Sequence, residues 1–251
     1  MDSLQGKRIL VIGASSGIGA QTAVTLSEHG ANVILAARRG DRLREVMERL
    51  APGEHAYDTL DVNEVELIGE KIGALVRERG KLDGMVYAAG IGLELPLRDL
   101  SYKRALPFFQ TNYFGFLESV RQVSKRGRYN SGMHIVAISS VASMTGQSAN
   151  TVYSATKAAV DASIRCMAKE LADKGICINS VAPSMIEAQM YYGFLERNGN
   201  GSEAQQKLLN RQYLGIGKTT DVANAVCFLL SPESRFITGI ALPVDGGYTS
   251  C

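Results

Sequence analysis

Tyr153 and Lys157 stand four residues apart in Thr-Val-Tyr-Ser-Ala-Thr-Lys, residues 151–157. The surrounding sequence reads as helix, so the two side chains share one face, one turn apart. A free tyrosine has a pKa of about 10, too high for efficient proton transfer at neutral pH. A nearby ammonium favours the phenolate and lowers that value. A depression of about 3 units corresponds to roughly 4 kcal/mol, within reach of one ammonium in a partly dry site helped by a cofactor's charge. In isolation so short a pattern far more often marks a tyrosine that caps a core beside a solvated lysine. The rest of the chain has to decide.

Upstream residues supply what such a pair would need. Gly13-Ala-Ser-Ser-Gly17-Ile-Gly19, which includes Ser15, Ser16 and Ile18, follows the apolar run Arg8–Ile12 and precedes helical periodicity over 20–29. Strand, glycine turn and helix form the first part of a dinucleotide-binding unit. The glycines permit close backbone approach, and the helix N-terminus offers N–H groups and a positive dipole to a pyrophosphate. The spacing is G-x-x-x-G-x-G rather than G-x-G-x-x-G. A second strand over 32–36 leads into Ala37 and the pair Arg38-Arg39, with no acid. An acid there holds the ribose 2′-hydroxyl of NAD, whereas arginine accommodates the 2′-phosphate of NADP. The pair therefore predicts NADP(H) in preference to NAD(H).

These residues need a scaffold, and the pattern defines one. Strands are predicted at 8–12, 32–36, 54–59, 82–88, 134–139, 177–182 and 240–244. Helices are predicted at 20–29, 41–50, 65–79, 101–123, 152–174 and 221–230. Ser139 and Ser140 lie at the end of the fifth strand, where ligands bind in open parallel sheets. Asn112 falls inside the long helix over 101–123, and residues 125–130 read as a basic loop. Ala155, Ala158, Ala159 and Ala162 would let the helix over 152–174 pack closely, between subunits for example. Residues 184–217 lose the strand–helix rhythm, are rich in Met and Tyr, and read as a lid. The alternation gives an α/β fold: a Rossmann-type, doubly wound, seven-stranded parallel sheet with helices on both faces. We expect a single dinucleotide-binding domain over 1–251.

Composition narrows the class further. The 251 residues are 45% hydrophobic and 21% charged with a net charge of +2, too balanced to point to nucleic acid or a membrane surface. No apolar run reaches membrane-spanning length, and no signal-peptide architecture is visible. Cys166, Cys177, Cys227 and Cys251 show no C-x-x-C spacing, and the three histidines are scattered. Reduced thiols in a cytoplasmic protein without a metal site are expected.

Taken in order, the motifs resemble the short-chain dehydrogenase/reductase family, in its compact branch, over essentially the whole chain. The carriers are Gly13–Gly19, Asp61-Val62, Ala88-Ala89-Gly90, Asn112, Ile138-Ser139-Ser140, Tyr153-Ser-Ala-Thr-Lys157, Asn179-Ser-Val-Ala-Pro183 and Val244-Asp-Gly-Gly247. The resemblance implies that Tyr153 is the acid/base and that Ser140 orients the substrate oxygen. Ser139 must be told apart from Ser140, since strand alternation points only one into the site. Lys157 would lower the tyrosine pKa and hold the nicotinamide ribose, and Asn112 would anchor a relay water that connects to Lys157. Asp61 and Val62 match adenine contacts, Ala89 and Gly90 a close approach to the cofactor, Ile186 a position near the nicotinamide carboxamide, and Pro183 is counted among the cofactor-binding residues. A homo-oligomer, tetramer or dimer, is implied as well.

Four positions depart from the family pattern. Ile12 replaces a Thr, Tyr87-Ala88-Ala89-Gly90 replaces Asn-Asn-Ala-Gly, Pro183-Ser184 replaces Pro-Gly, and Ala188 replaces a cofactor-contacting Thr. The second change is expected to remove a polar brace from the central strands. In overall look the chain is similar to 3-oxoacyl-carrier-protein reductases, with Lys125, Arg126, Arg128 and Lys174 as a basic rim that would suit an acidic carrier. The alternative is a free small-molecule ketone such as a hydroxysteroid, sugar or polyol. A sugar-nucleotide epimerase of the extended branch is disfavoured by the glycine spacing and the short stretch after residue 183. A non-enzymatic NADP sensor is disfavoured by the intact Asn112, Ser140, Tyr153 and Lys157.

Overall fold

The computed structural model describes residues 4–250, so Cys251 lies outside the described residues. Nine strands and nine α-helices alternate along them: β1 (Arg8–Ile12), α1 (Gly17–Glu28), β2 (Asn32–Ala37), α2 (Gly40–Met47), β3 (Ala56–Thr59), α3 (Val65–Arg79), β4 (Leu82–Tyr87), α4 (Tyr102–Phe109), α5 (Gly115–Val123), β5 (Tyr129–Ile138), α6 (Thr151–Leu171), β6 (Cys177–Pro183), β7 (Ile186–Glu187), α7 (Gln189–Asn198), α8 (Glu203–Leu209), β8 (Gly217–Lys218), α9 (Thr219–Leu230) and β9 (Ala241–Val244). Seven strands form one parallel sheet in the order β3-β2-β1-β4-β5-β6-β9.

Strand alternation assigns residues to layers. Ile9 and Val11 of β1 enter one core with Ala23 and Leu26 of α1, Leu43 of α2 and Val226 of α9. Leu10 and Ile12 enter the other with Ile68 and Ile72 of α3, Phe116 of α5 and Ile164 of α6. Burial on both faces is why the central strands read as continuous apolar runs. The doubly wound sheet therefore matches the fold expected from the sequence. The order β3-β2-β1-β4 reverses between β1 and β4, so the crevice between their C-terminal ends is a switch point for ligand binding.

Two elements differ from their sequence reading. The helix expected over 101–123 is three pieces, because a π-helical turn (Gln110–Phe114) separates α4 from α5. Pro107 sits inside α4 and removes one ladder hydrogen bond. The turn is also held from outside: Gln110 donates to the Asn63 carbonyl at 3.1 Å and the Thr111 hydroxyl to the Asn63 side chain at 2.8 Å. The fifth strand begins at Tyr129, inside the expected basic loop, where Asn130, Ser131 and Gly132 hide the strand pattern. Between residues 184 and 217, β7 pairs with β8 as a two-stranded parallel stem that carries α7 and α8. No helix among the described residues is long and apolar enough to cross a membrane.

Candidate active site

Helix α6 starts beside the C-terminal end of β5 and presents Tyr153 and Lys157 from its first two turns. Its entry is set by Ala149, whose φ of 60° is left-handed and whose carbonyl accepts from the Leu95 N–H at 2.7 Å. Lys157 is 5% exposed. Its Nζ donates to the Ile138 carbonyl at 2.8 Å and lies 5.7 Å from the centre of the Tyr153 ring. Burial pushes the Lys157 ammonium down to about 8, while the Asp161 carboxylate works in the opposite direction.

Tyr153 does not follow the sequence expectation of a lowered pKa. Burial holds its phenol above the ordinary value, and a hydrogen bond with Ser140 offsets this only in part. The lysine donates to the strand-end carbonyl rather than to the phenol oxygen. At neutral pH Tyr153 is a protonated donor, the state that an acid needs.

The two serines at the end of β5 part as alternation requires. Ser139 is buried and donates to Asp161 Oδ2 at 2.9 Å. Ser140 lines the cavity beside Tyr153, donates to the Pro183 carbonyl at 3.4 Å and accepts from the Ala142 N–H at 3.2 Å. Asn112 sits in the π-helical turn at 1% exposure and does not border the cavity. Its Oδ1 accepts from the Ile91 N–H at 2.8 Å, and its Nδ2 donates to the Ile91 carbonyl and the Thr156 hydroxyl, each at 3.0 Å. Both amide hydrogens are committed, so the side chain clamps the segment after β4 to α6.

A cavity of about 1030 Å³ runs from Ser140 and Tyr153 to the glycine turn. Gly13, Ser15, Ser16, Gly17, Ile18, Gly19, Arg38, Arg39, Val62, Ala89, Gly90, Lys157, Pro183 and Ile186 all line it. The turn fits a pyrophosphate: a Cβ on Gly13 would strike the Ala88–Ala89 backbone, one on Gly19 the Gly13 carbonyl, and no side chain caps the start of α1. Arg39 reaches over the turn to the hydroxyls of Ser15 at 3.0 Å and Ser16 at 3.3 Å. Asp61 is an exception among the expected cofactor residues. Its carboxylate accepts from the Asn63 N–H at 2.9 Å within its own turn, and the residue does not border the cavity.

Four further features complete the site. The expected basic rim is at the wrong end of the sheet. Arg128 precedes β5 and donates to Gln122, and Lys174 donates to the Ser124 carbonyl. Ser140 lies a full strand length away, on the order of 30 Å. Tyr87 supplies the brace that the missing asparagine was expected to forfeit, its hydroxyl donating to the Thr111 carbonyl at 2.5 Å. Gln212, 2% exposed, mirrors Asn112 on the opposite wall: Oε1 accepts from the Met185 N–H and Nε2 donates to the Met185 carbonyl, each at 3.1 Å. No motif marked Gln212, because its role depends on a contact 27 residues away in sequence. The stem-borne helix α7 covers the cavity with Met190, Tyr192 and Phe194, and Arg197 pairs with Glu94 across its mouth at 3.7 Å.

Comparison with known proteins agrees with this geometry. A family profile described as enoyl-(acyl carrier protein) reductase matches residues 13–249. Glucose 1-dehydrogenase of Gluconobacter oxydans is 31% identical over 99% of this chain and 94% of its own. The 3-oxoacyl-[acyl-carrier-protein] reductase of Thermotoga maritima is 32% identical over 97% of this chain and 98% of its own. A variant of the actinorhodin polyketide ketoreductase, solved with NADPH, superposes with a TM-score of 0.89 at 30% identity, covering 98% of each chain.

Proposed function

The chain belongs to the short-chain dehydrogenase/reductase family, oxidoreductases acting at C=O and CH–OH groups with a nicotinamide cofactor, and from that premise we propose that it is an NADP(H)-dependent enzyme interconverting a ketone and a secondary alcohol. The observation that carries the reading is the Ser140–Tyr153 hydroxyl pair on the wall of the cavity that also holds the glycine turn. The backbone of residues 13–19 would hold the pyrophosphate and Arg38 and Arg39 the 2′-phosphate, which supports NADP(H) over NAD(H). The nicotinamide, when bound, supplies the hydride. Ser140 and Tyr153 would donate hydrogen bonds to the carbonyl oxygen, stabilising the charge that develops there. Tyr153 would then give its proton to that oxygen, the Lys157 ammonium would steady the phenolate left behind, and a proton from solvent would restore the phenol. Asn112 keeps the wall at Ile91 in place. The segment 184–217 acts as the lid of a single domain.

Two substrate classes fit the reaction, a 3-oxoacyl group on a carrier protein and a free small ketone. The second is favoured, because the basic residues that would meet an acidic carrier stand at the opposite end of β5 from Ser140. The walls on the substrate side are largely apolar, with Leu93, Val141, Met185, Met190 and Phe194 among them. Exposed Leu97 and Tyr102 at the start of α4 are consistent with a homo-oligomer.

The test is loss of NADPH absorbance against a panel of free ketones and carrier-linked 3-oxoacyl thioesters. We expect turnover on members of the free-ketone set, and Tyr153→Phe to lower it by about 10²–10⁴-fold while NADPH binding persists. Near-normal turnover in that variant would overturn the mechanism.

A further inference from the structure

Lys157 and Asp161 are the two buried side chains among all described Lys, Arg, Asp and Glu residues, each 5% exposed. Asp161 follows Lys157 by one turn on the same face of α6. The mechanism above makes no use of it. Both of its oxygens are engaged by neutral donors: Ser139 Oγ gives a hydrogen bond to Oδ2 at 2.9 Å, and Ser180 Oγ gives one to Oδ1 at 2.7 Å. Lys157 Nζ meanwhile donates to Ile138, the residue before Ser139. The two charges thus grip consecutive residues at the end of β5, immediately before Ser140.

A carboxylate taken out of water costs several kcal/mol unless another charge offsets it, and the same holds for an ammonium. Hydroxyl donors satisfy the oxygens of Asp161 but carry no net charge. Lys157 is the buried cation on its own helix face, and Asp161 is the buried anion nearest to it in sequence. The groups facing Lys157 from other elements are uncharged: the Ile138 carbonyl from β5, and Gly90 and the Asn112 amide from the segment after β4 and the π-helical turn. On α6 itself the titratable neighbours are Tyr153 and Asp161. Asp161 faces Ser139 and Ser180 from β5 and β6.

We propose that Asp161 is a positioning residue for the active site: it is the buried counter-charge that keeps Lys157 protonated, and through Ser139 it fixes the end of β5 so that Ser140 meets Tyr153. The inference rests on the reading of Lys157 and Tyr153 given above. The direction of the electrostatic effect agrees with it, since burial lowers the Lys157 pKa and Asp161 raises it.

The test titrates Lys157 directly. In protein labelled with ¹³C at lysine Cε, the Lys157 resonance is identified by its loss in Lys157→Arg and followed through neutral and alkaline pH. In Asp161→Asn its midpoint falls by at least about one pH unit, and in Asp161→Glu most of that fall is restored. The alkaline limb of ketone reduction moves with it. A purely structural role would lower the melting temperature of Asp161→Asn and leave the midpoint in place, and an unmoved midpoint in the folded variant overturns the proposal. Should Asp161→Asn fail to fold, Asp161→Ser with the same lysine label takes its place, and an unmoved Lys157 midpoint in that variant sinks the idea. If no form of the protein reduces a ketone, the functional reading fails, while the lysine titration still decides this inference.

Discussion

The Tyr87 hydroxyl donates to the Thr111 carbonyl at 2.5 Å, linking the end of β4 to the π-helical turn one residue before Asn112. Tyr87 is 2% exposed, and its ring packs edge-on against Phe116. The phenol ties the turn to the sheet, and the next residue then clamps Ile91. One bond thus couples the central sheet to the wall of the cavity.

Tyr87→Phe keeps the ring and deletes the donor, which takes this bond from a buried carbonyl. The expected cost is about 1–3 kcal/mol, read from denaturant unfolding. Because the turn carries Asn112, we also expect a lower kcat on any accepted ketone. A variant as stable and as active as the parent would show that the bond does not set the turn.

Much of this was legible beforehand because it is written locally. The strand, glycine turn and helix at 8–28 follow from composition and spacing alone, and α3 matches its predicted bounds because periodicity, Gly80 and flanking charges all agree. The pairing of Ser140 with Tyr153 is what the family resemblance of their motifs implies. What escaped was set by tertiary contacts. The π-helical turn is invisible in a sequence that reads as continuous helix, and Tyr87 looked like a loss because its partner is 24 residues away. Gln212 and Asp161 have no motif, and their meaning comes from the backbone and hydroxyls they meet. The basic rim failed for the same reason: residues 125–128 are close to Ser140 in sequence, but a ten-residue strand puts them at its opposite end.

Arg39→Ala tests cofactor choice. Its guanidinium reaches the hydroxyls of Ser15 and Ser16 and borders the cavity. A charge-assisted contact with a phosphate contributes about 1.5–3 kcal/mol, so the KM for NADPH should rise about 10–100-fold. The KM for NADH should stay within about threefold, a change of under 1 kcal/mol. Steady-state kinetics with both cofactors check this, and equal losses would mean that Arg39 only supports the turn.

Lys157 predicts opposite pH trends for activity and stability. With its pKa pushed down to about 8 by burial, the ammonium is lost as pH rises through that value, and turnover should fall on the alkaline side with a midpoint near it. The unfolded chain binds this proton up to about 10.5, so between the two values it holds more protons than the folded one. The Lys157 contribution to stability therefore rises with pH over that window, by on the order of 3 kcal/mol. Unfolding of the parent and of Lys157→Met across the window isolates the contribution. A difference that is flat or falls with pH would contradict the burial of a protonated lysine.

Gly92→Ala tests how the cavity selects its ketone. Gly92 borders the cavity, and an added Cβ would lie 3.3 Å from Met190 Cε and 3.4 Å from Tyr153 Cε2. Its backbone lies outside the left-handed region, so alanine is tolerated in conformation and the cost is one of space. The glycine leaves a slot beside the phenol, closed on its other side by the flexible thioether of Met190. One methyl group in such a slot is worth about 1–3 kcal/mol, or roughly 10–200-fold in kcat/KM. Ketones with a bulky group next to the carbonyl should lose that much, while the smallest accepted ketone keeps most of its rate. A uniform loss across the panel would instead mean that the methyl group displaces Tyr153, and no loss at all would place the ketone's substituent away from Gly92.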